Sequence, residues 1–127
     1  MQSYDLIIKN AQVVTSIETK YADIGIKDQK IIAIGNNLIN SKETIDATGK
    51  YILPGGIDSH CHIEQKSASG LINSDTFESA TKAAALGGNT SIIPFAAQYE
   101  GFTLTETLED YHKLAKKGSI IDYAMHM

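Results

Sequence analysis

The chain has 127 residues, of which 43% are hydrophobic and 20% charged, the size and composition of a soluble globular domain. Its net charge of -4 argues against nucleic acid or an anionic membrane as a partner, because both are bound through basic patches. Cys61 is the only cysteine, so no internal disulfide can form and a reducing compartment is expected. The N-terminus has no basic and apolar leader, and no apolar run approaches the ~18 residues of a membrane span. We therefore expect a cytoplasmic protein.

Residues 4–53 have the pattern of short β-strands. Ile24 and Ile26, and then Ile32 and Ile34, stand at alternate positions on either side of a polar segment, which predicts a hairpin with one buried face and a turn at 27–30. Asn10 lies between two apolar runs and is predicted to form a turn. Short strands over ~50 residues do not close a large core alone, so this layer needs a partner layer.

From residue 54 onward the pattern changes to alternating strands and helices. The predicted elements are a strand at 57–63, a helix from Ser74 or Asp75 to Gly87, a strand at 89–95, a helix from Thr103 to Gly118 and a strand at 120–126. The strand centres are about 30 residues apart, the length of a βαβ unit, so the strands should be parallel. The chain stops at the end of a predicted strand with no helix after it. We therefore expect the front portion of a longer, truncated α/β protein.

Both predicted helices begin with a capping signal. Asp75 with Glu78, and Thr103 with Glu106, have the spacing of a capping box. In this motif a side-chain oxygen at the helix start accepts a backbone N–H three residues further on, and the third residue reciprocates.

The first strand of the α/β part carries the residues best suited to chemistry. Asp58, His60 and His62 are spaced by two, so in a strand their side chains share one face. Paired imidazoles suit a divalent metal, and the carboxylate of Asp58 could orient one of them. Zinc takes about four ligands, so two donors are missing. From the spacing alone, a metal site and a pair of structural histidines are equally open interpretations.

Residues around this motif have their own interpretations. Cys61 falls on the opposite face of the strand, so we expect it to pack toward the helix layer rather than to bind metal. Glu64 and Gln65 follow directly, and they either border a substrate pocket or are plain loop residues. His126 ends the third predicted strand, and we expect it to hydrogen-bond a neighbouring strand.

Several segments of the sequence resemble the amidohydrolase superfamily. The most specific is 54–62, which reads Pro-Gly-x-x-Asp-x-His-x-His, preceded by the Asp-Ala-Thr-Gly-Lys run at 46–50. The segments 5–10 and 81–93 narrow the resemblance to the dihydropyrimidinase and hydantoinase family of cyclic amidases. The similarity extends over essentially the whole chain.

This resemblance implies a fold and its division. The family has a (β/α)₈ TIM-type barrel and a smaller β-sandwich built from both chain ends. Residues 1–55 would be the N-terminal part of the sandwich domain, and residues 56–127 the first βα units of the barrel. The resemblance thus implies an α/β fold of which the chain holds the start.

The resemblance also implies a binuclear zinc centre as cofactor. His60 and His62 match the first-strand ligands of the family. A carboxylated lysine, two further histidines and the aspartate that moves the proton come from later strands, so neither Lys82 nor His126 is assigned to them and no catalytic residue is assigned in this chain. In the family an activated water opens a ring amide, and the product is an N-carbamoyl amino acid.

The implied partner is a small cyclic amide, either a dihydropyrimidine or a hydantoin. The loop after the first strand shapes the family's pocket, which makes Glu64 and Gln65 the candidate substrate contacts. Homotetramers are what the resemblance suggests for the intact protein. The chain alone is expected to bind zinc weakly and to open no ring.

Three alternatives stay open from the sequence. A dihydroorotase or an allantoinase would share the histidine pair. A non-catalytic relative would keep the fold as an interaction scaffold, although such relatives tend to lose metal ligands. A small metal-binding module complete at 127 residues would unfold cooperatively as a monodisperse protein.

Overall fold

The computed structural model describes residues 3–67 and 69–127. Contacts along the backbone divide the chain into two compact units, Met1–Pro54 and Gly55–Met127. In the described residues the first unit is built from strands and the second alternates strands with helices, so the α/β class expected from the sequence is confirmed. Within the same residues, no helix has both the length and the apolar composition needed to span a membrane.

The first unit is a five-stranded sheet. Its strands are β1 (Tyr4–Val14), β2 (Thr19–Lys27), β3 (Lys30–Gly35), β4 (Ser41–Asp46) and β5 (Tyr51–Ile52). The order across the sheet is β3-β2-β1-β4. The short strand β5 also pairs with β1, at Gln12 and Val13, further along β1 than the residues that pair with β4. β1 is antiparallel to β2 and parallel to β4 and β5. It is therefore a central strand, and Ile7 and Val13 on it are buried.

β1 contains a bulge where the sequence predicted a turn. Asn10 has a φ of 60°, and the register with β2 shifts between Ile8 and Ala11. The backbone N–H of Asn10 donates to Asp23 at 3.0 Å, and its side-chain amide donates to Asp46 at 3.1 Å. The turn prediction is wrong because these two carboxylates, on β2 and β4, hold Asn10 within a continuous strand.

The predicted hairpin is present between β2 and β3. Lys27 pairs with Lys30 across a two-residue turn, in which Asp28 and Gln29 have φ values of 48° and 62°. Positive φ at both central positions matches the right-handed twist of the flanking strands.

The expected buried face is found on β2 but not on β3. Ile24 on β2 is 3% exposed, whereas Ile31, Ile32 and Ile34 on β3 are 60%, 39% and 45% exposed. β3 lies at one end of the strand order, so its isoleucines have a neighbouring strand on one side within the described residues.

The second unit is a three-stranded parallel sheet with two helices. Its elements are β6 (Gly56–Cys61), α1 (Phe77–Leu86), β7 (Asn89–Pro94), α2 (Leu104–Gly118) and β8 (Asp122–Tyr123). The order is β6-β7-β8 and both pairs are parallel, as the sequence predicted. The last strand is shorter than predicted, and His126 adds an isolated bridge to Phe95.

α1 begins later than the sequence predicted. Thr76 is the N-cap, and its hydroxyl accepts the backbone N–H of Ser79 at 3.2 Å. The hydroxyl of Ser79 in turn accepts the backbone N–H of Thr76 at 3.0 Å. The predicted box of Asp75 and Glu78 is wrong, because Thr76 occupies the cap position and Asp75 accepts the Ser79 hydroxyl at 2.8 Å instead.

α2 has the predicted capping box. Thr103 accepts the backbone N–H of Glu106 at 3.2 Å, and the carboxylate of Glu106 accepts the backbone N–H of Thr103 at 2.9 Å. Lys116 and Lys117 lie in the last turn, where positive charge favours the helix dipole.

The core of the second unit joins both helices to the sheet. It consists of Ile63, Phe77, Ile92, Ala96, Tyr111 and Ala115. Thr81 of α1 is also fully buried. Its hydroxyl donates to the carbonyl of Phe77 and accepts the backbone N–H of Ile120 at 3.2 Å. Thr81 thereby ties α1 to the segment that leads into β8.

Candidate metal site at the end of the parallel sheet

The structure brings the two predicted histidines together. His60 lies near the end of β6 and His62 follows directly after it, at the carboxyl edge of the parallel sheet. Both side chains are exposed, and their ring centroids are 5.4 Å apart in an edge-to-face arrangement. The period-two spacing therefore presents both imidazoles on one side of the strand end, as expected.

Phe95 organises the rings at this edge. It follows β7, so parallel pairing places it beside the end of β6. Its ring centroid is 4.6 Å from that of His60, 5.2 Å from that of His62 and 4.9 Å from that of His126. Sequence reasoning missed this role. The available signal was an aromatic residue at the end of the second predicted strand, one place after Pro94, which ends β7.

His126 crosses the sheet edge. Its ring Nε2 is 3.0 Å from the carbonyl oxygen of Ser59, and since a carbonyl only accepts, Nε2 is the donor. Its backbone N–H donates to the carbonyl of Pro94 at 2.9 Å. The histidine thus bonds to both other strands of the sheet, which agrees with the structural role expected for it.

Asp58 contacts the backbone of the histidine segment. Its carboxylate accepts the backbone N–H of His60 at 3.1 Å, and the pairing of β6 with β7 is irregular between Asp58 and Cys61. Asp58 therefore stabilises the irregular backbone of β6 at the position of His60. Cys61 packs against the core of the second unit. Burial raises the pKa of its thiol, and the negative charge of the nearby Asp58 carboxylate raises it further.

Gln65 faces the histidine pair, whereas Glu64 faces α1. The side-chain oxygen of Gln65 is hydrogen-bonded to Nδ1 of His62. Gln65 and His62 also border a depression of about 470 Å³. The carboxylate of Glu64 accepts the backbone N–H of Phe77 at 3.1 Å, which places negative charge at the positive end of α1.

A second concavity of about 420 Å³ lies between the loops that follow β6 and β7. Its aromatic lining comes from Tyr99, Phe102 and Tyr111. Burial raises the pKa of Tyr111 to about 12, and the neighbouring Tyr99 adds to the rise. The hydroxyl of Tyr99 donates to the carbonyl of Lys66, so this concavity is closed on one side by a bond between the two loops.

The protein donors at the sheet edge are few. Within residues 3–67 and 69–127, no three or more His, Cys, Asp or Glu side chains come together in a way that could hold a metal ion. His60 and His62 supply two nitrogen donors, half of the usual zinc set.

Comparison with known proteins gives a consistent picture. No family model matches the sequence. The chain is 46% identical over 123 residues to a D-hydantoinase of Ralstonia pickettii, covering 97% of the chain and 27% of the relative. It is 40% identical over 123 residues to an allantoinase of Salmonella choleraesuis, covering 96% of the chain and 26% of the relative. The crystal structure of a dihydropyrimidinase from Brevibacillus agri superposes with a TM-score of 0.88 at 43% identity, covering 94% of the chain and 26% of that structure.

The chain thus spans about a quarter of the length of the relatives it matches. The similarity extends over nearly the whole of this chain, 97% of it in sequence and 94% of it in backbone structure. The resemblance to the N-terminal portion of the dihydropyrimidinase and hydantoinase family, within the amidohydrolase superfamily, is thereby confirmed.

Proposed function

We propose that the chain supplies the N-terminal part of a metal-dependent cyclic amidase, which hydrolyses the ring amide of dihydropyrimidines or hydantoins to N-carbamoyl amino acids. The observation that carries the proposal is the histidine pair at the sheet edge, in a chain 46% identical to the matching part of a D-hydantoinase. Residues 1–55 would belong to its β-sandwich domain and residues 56–127 to the first βα units of a TIM-type barrel.

The geometry of the pair supports metal binding by His60 and His62. Two imidazoles on one tetrahedral metal at ~2.1 Å have ring centroids roughly 5 Å apart, and those of His60 and His62 are 5.4 Å apart. Both rings are exposed, so each is accessible to an ion. The donor set fits one half of a zinc site, and we propose that the other ligands come from the three quarters of the family's length that this chain does not span.

The residues of this chain would hold and shape the site. When bound, the zinc pair would polarise the ring carbonyl and activate water. His60 and His62 would fix the metal at the carboxyl edge of the sheet, where barrel enzymes place their chemistry. Asp58 would set the backbone of His60, and the ring of Phe95 would restrict the movement of both imidazoles.

The loop after β6 would contact the substrate. Gln65 lines the depression beside His62, which supports its predicted role as a contact to the substrate ring. Glu64 is bonded to the start of α1 and lines the second concavity, and we propose that it holds the loop and borders the substrate pocket. A homotetramer in the cytoplasm is part of the same proposal.

Allantoin hydrolysis is the second candidate. It is favoured by the 40% identity to an allantoinase over 96% of the chain. Both activities open a cyclic amide or ureide and would use the same histidine pair, so the substrate separates them.

A chimera tests the proposal directly. The chain would replace the matching 27% of the Ralstonia pickettii D-hydantoinase, and the product would be assayed with hydantoin, dihydrouracil and allantoin. We expect zinc-dependent ring opening, and a shift of the preferred ring toward allantoin, relative to the unaltered D-hydantoinase, would favour the second candidate. A folded, zinc-loaded chimera that opens none of the three rings contradicts the proposal.

Matched histidine variants sharpen the result. His60→Asn with His62→Asn should abolish ring opening and lower zinc content. His112→Asn changes an exposed histidine on α2 and should leave both unchanged. Full activity in the double variant would contradict the metal assignment.

A further inference from the structure

We propose that Gln65 is a positioning residue for His62: its side-chain oxygen holds the imidazole in the tautomer whose Nε2 is free to bind metal. The proposal rests on the proposed function only in taking His62 as a metal ligand. The tautomer itself is a property of this chain without metal.

The hydrogen bond determines which nitrogen carries the proton. Oε1 of Gln65 is bonded to Nδ1 of His62, and an amide oxygen only accepts, so Nδ1 must donate. In a neutral imidazole the other nitrogen then has the free lone pair. Outer partners of this kind orient ligating histidines, and their loss typically lowers metal affinity about 10–100-fold.

The loop that carries Gln65 is itself folded. The backbone N–H of Asn73 donates to the carbonyl of Gln65 at 3.1 Å, and the N–H of Ser67 donates to the carbonyl of Leu71 at 2.7 Å. Lys66 forms an antiparallel bridge with Ile72. These bonds make the loop a small hairpin that returns to the start of α1, so the backbone of Gln65 is fixed from within the loop.

A second loop holds this hairpin in place. The hydroxyl of Tyr99, in the segment after β7, donates to the carbonyl of Lys66, one residue beyond Gln65. Tyr99 is half-buried. The orientation of His62 therefore depends on a contact from the next βα connection as well as on Gln65 itself.

The experiment reads the tautomer of His62 by long-range ¹H–¹⁵N spectra of the metal-free chain, at a pH above the ordinary histidine pKa of about 6.5. We expect His62 in the Nδ1–H form in the parent chain. Gln65→Met should shift it toward the Nε2–H form and lower zinc affinity about 10-fold or more. Gln65→Glu keeps an oxygen acceptor and should keep the Nδ1–H form.

Controls separate a local effect from a general one. Gln98→Met removes a glutamine that bonds the carbonyl of Phe102 and should leave His62 unchanged. Tyr99→Phe should lower the Nδ1–H fraction of His62 by releasing the loop. If Gln65→Met does not fold, this variant tests the proposal in its place, and an unchanged Nδ1–H fraction would contradict it. An Nδ1–H signal in Gln65→Met equal to that of the parent, or an Nε2–H form in the parent, overturns the proposal.

The outcome is independent of enzyme activity. An inactive chimera with the expected tautomer refutes the proposed function and leaves the orientation of His62 by Gln65 standing. An active chimera with an unchanged tautomer in Gln65→Met refutes only the positioning role.

Discussion

Thr81→Val tests the bond that joins α1 to the segment ahead of β8. The side chain is 0% exposed, and its hydroxyl bonds the Phe77 carbonyl and the Ile120 N–H. Valine keeps the shape of threonine but neither donates nor accepts. The variant therefore isolates the contribution of the hydroxyl.

The two partners set the magnitude. A buried donor left without a partner costs about 1–3 kcal/mol, whereas an ordinary hydrogen bond contributes about 0.5–1.5 kcal/mol. Ile120 is 54% exposed, so water can replace the lost acceptor, and the lower range applies. We expect a loss of about 1 kcal/mol in the free energy of unfolding, which lowers the Tm of a unit the size of Gly55–Met127 by about 4–8 °C.

Urea and thermal unfolding of the parent and the variant measure this loss. Thr105→Val, at an exposed position of α2, is the matched control and should change the free energy by less than about 0.5 kcal/mol. Equal stability of the two variants would refute the role of the hydroxyl. A loss above about 3 kcal/mol would show that valine disturbs the packing and would refute the assumption of unchanged shape.

Three further predictions concern a close contact, a cap and a titration. Gly25→Ala places a Cβ in the ring of the buried Tyr4 and should cost about 1–3 kcal/mol, whereas Gly35→Ala meets nothing within 4 Å and should be neutral or stabilising in the same unfolding assay. Thr103→Ala removes the N-cap of α2 and should cost about 1 kcal/mol; unchanged stability would contradict the capping box. The raised pKa of Tyr111, about 12, means that the unfolded chain loses this proton first, so stability should fall as pH rises from about 10 toward 12. Tyr111→Phe should show a shallower fall, and an equal slope would contradict the shift.

The helix starts show how far local sequence determines structure. At α2, Thr103 and Glu106 are the residues that fit a capping box, and the structure uses them. At α1, Ser74, Asp75 and Thr76 are consecutive cap candidates, and both Asp75 and Thr76 have a polar residue three places on that can reciprocate, Glu78 and Ser79. The choice of Thr76 depends on where the preceding loop delivers the chain, which residue types alone do not reveal.

Distance along the chain limits prediction elsewhere. The bulge at Asn10 is held by carboxylates 13 and 36 residues away, so a local turn signal was misread. At the site, the pairing of His60 with His62 follows from their spacing and was predictable. The ring of Phe95 reaches them only because β6 and β7 are parallel neighbours, and that contact became visible with the fold.

The isoleucines of β3 have a practical consequence for handling the protein. An end strand with exposed β-branched side chains is a template on which identical chains can add strand to strand, and lysines at its start oppose this. Lys30 begins β3, but Ile31, Ile32 and Ile34 follow it. We expect slow, concentration-dependent aggregation that seeds at this strand. Ile32→Lys should delay it in a light-scattering assay, and an unchanged lag time would place the seed elsewhere.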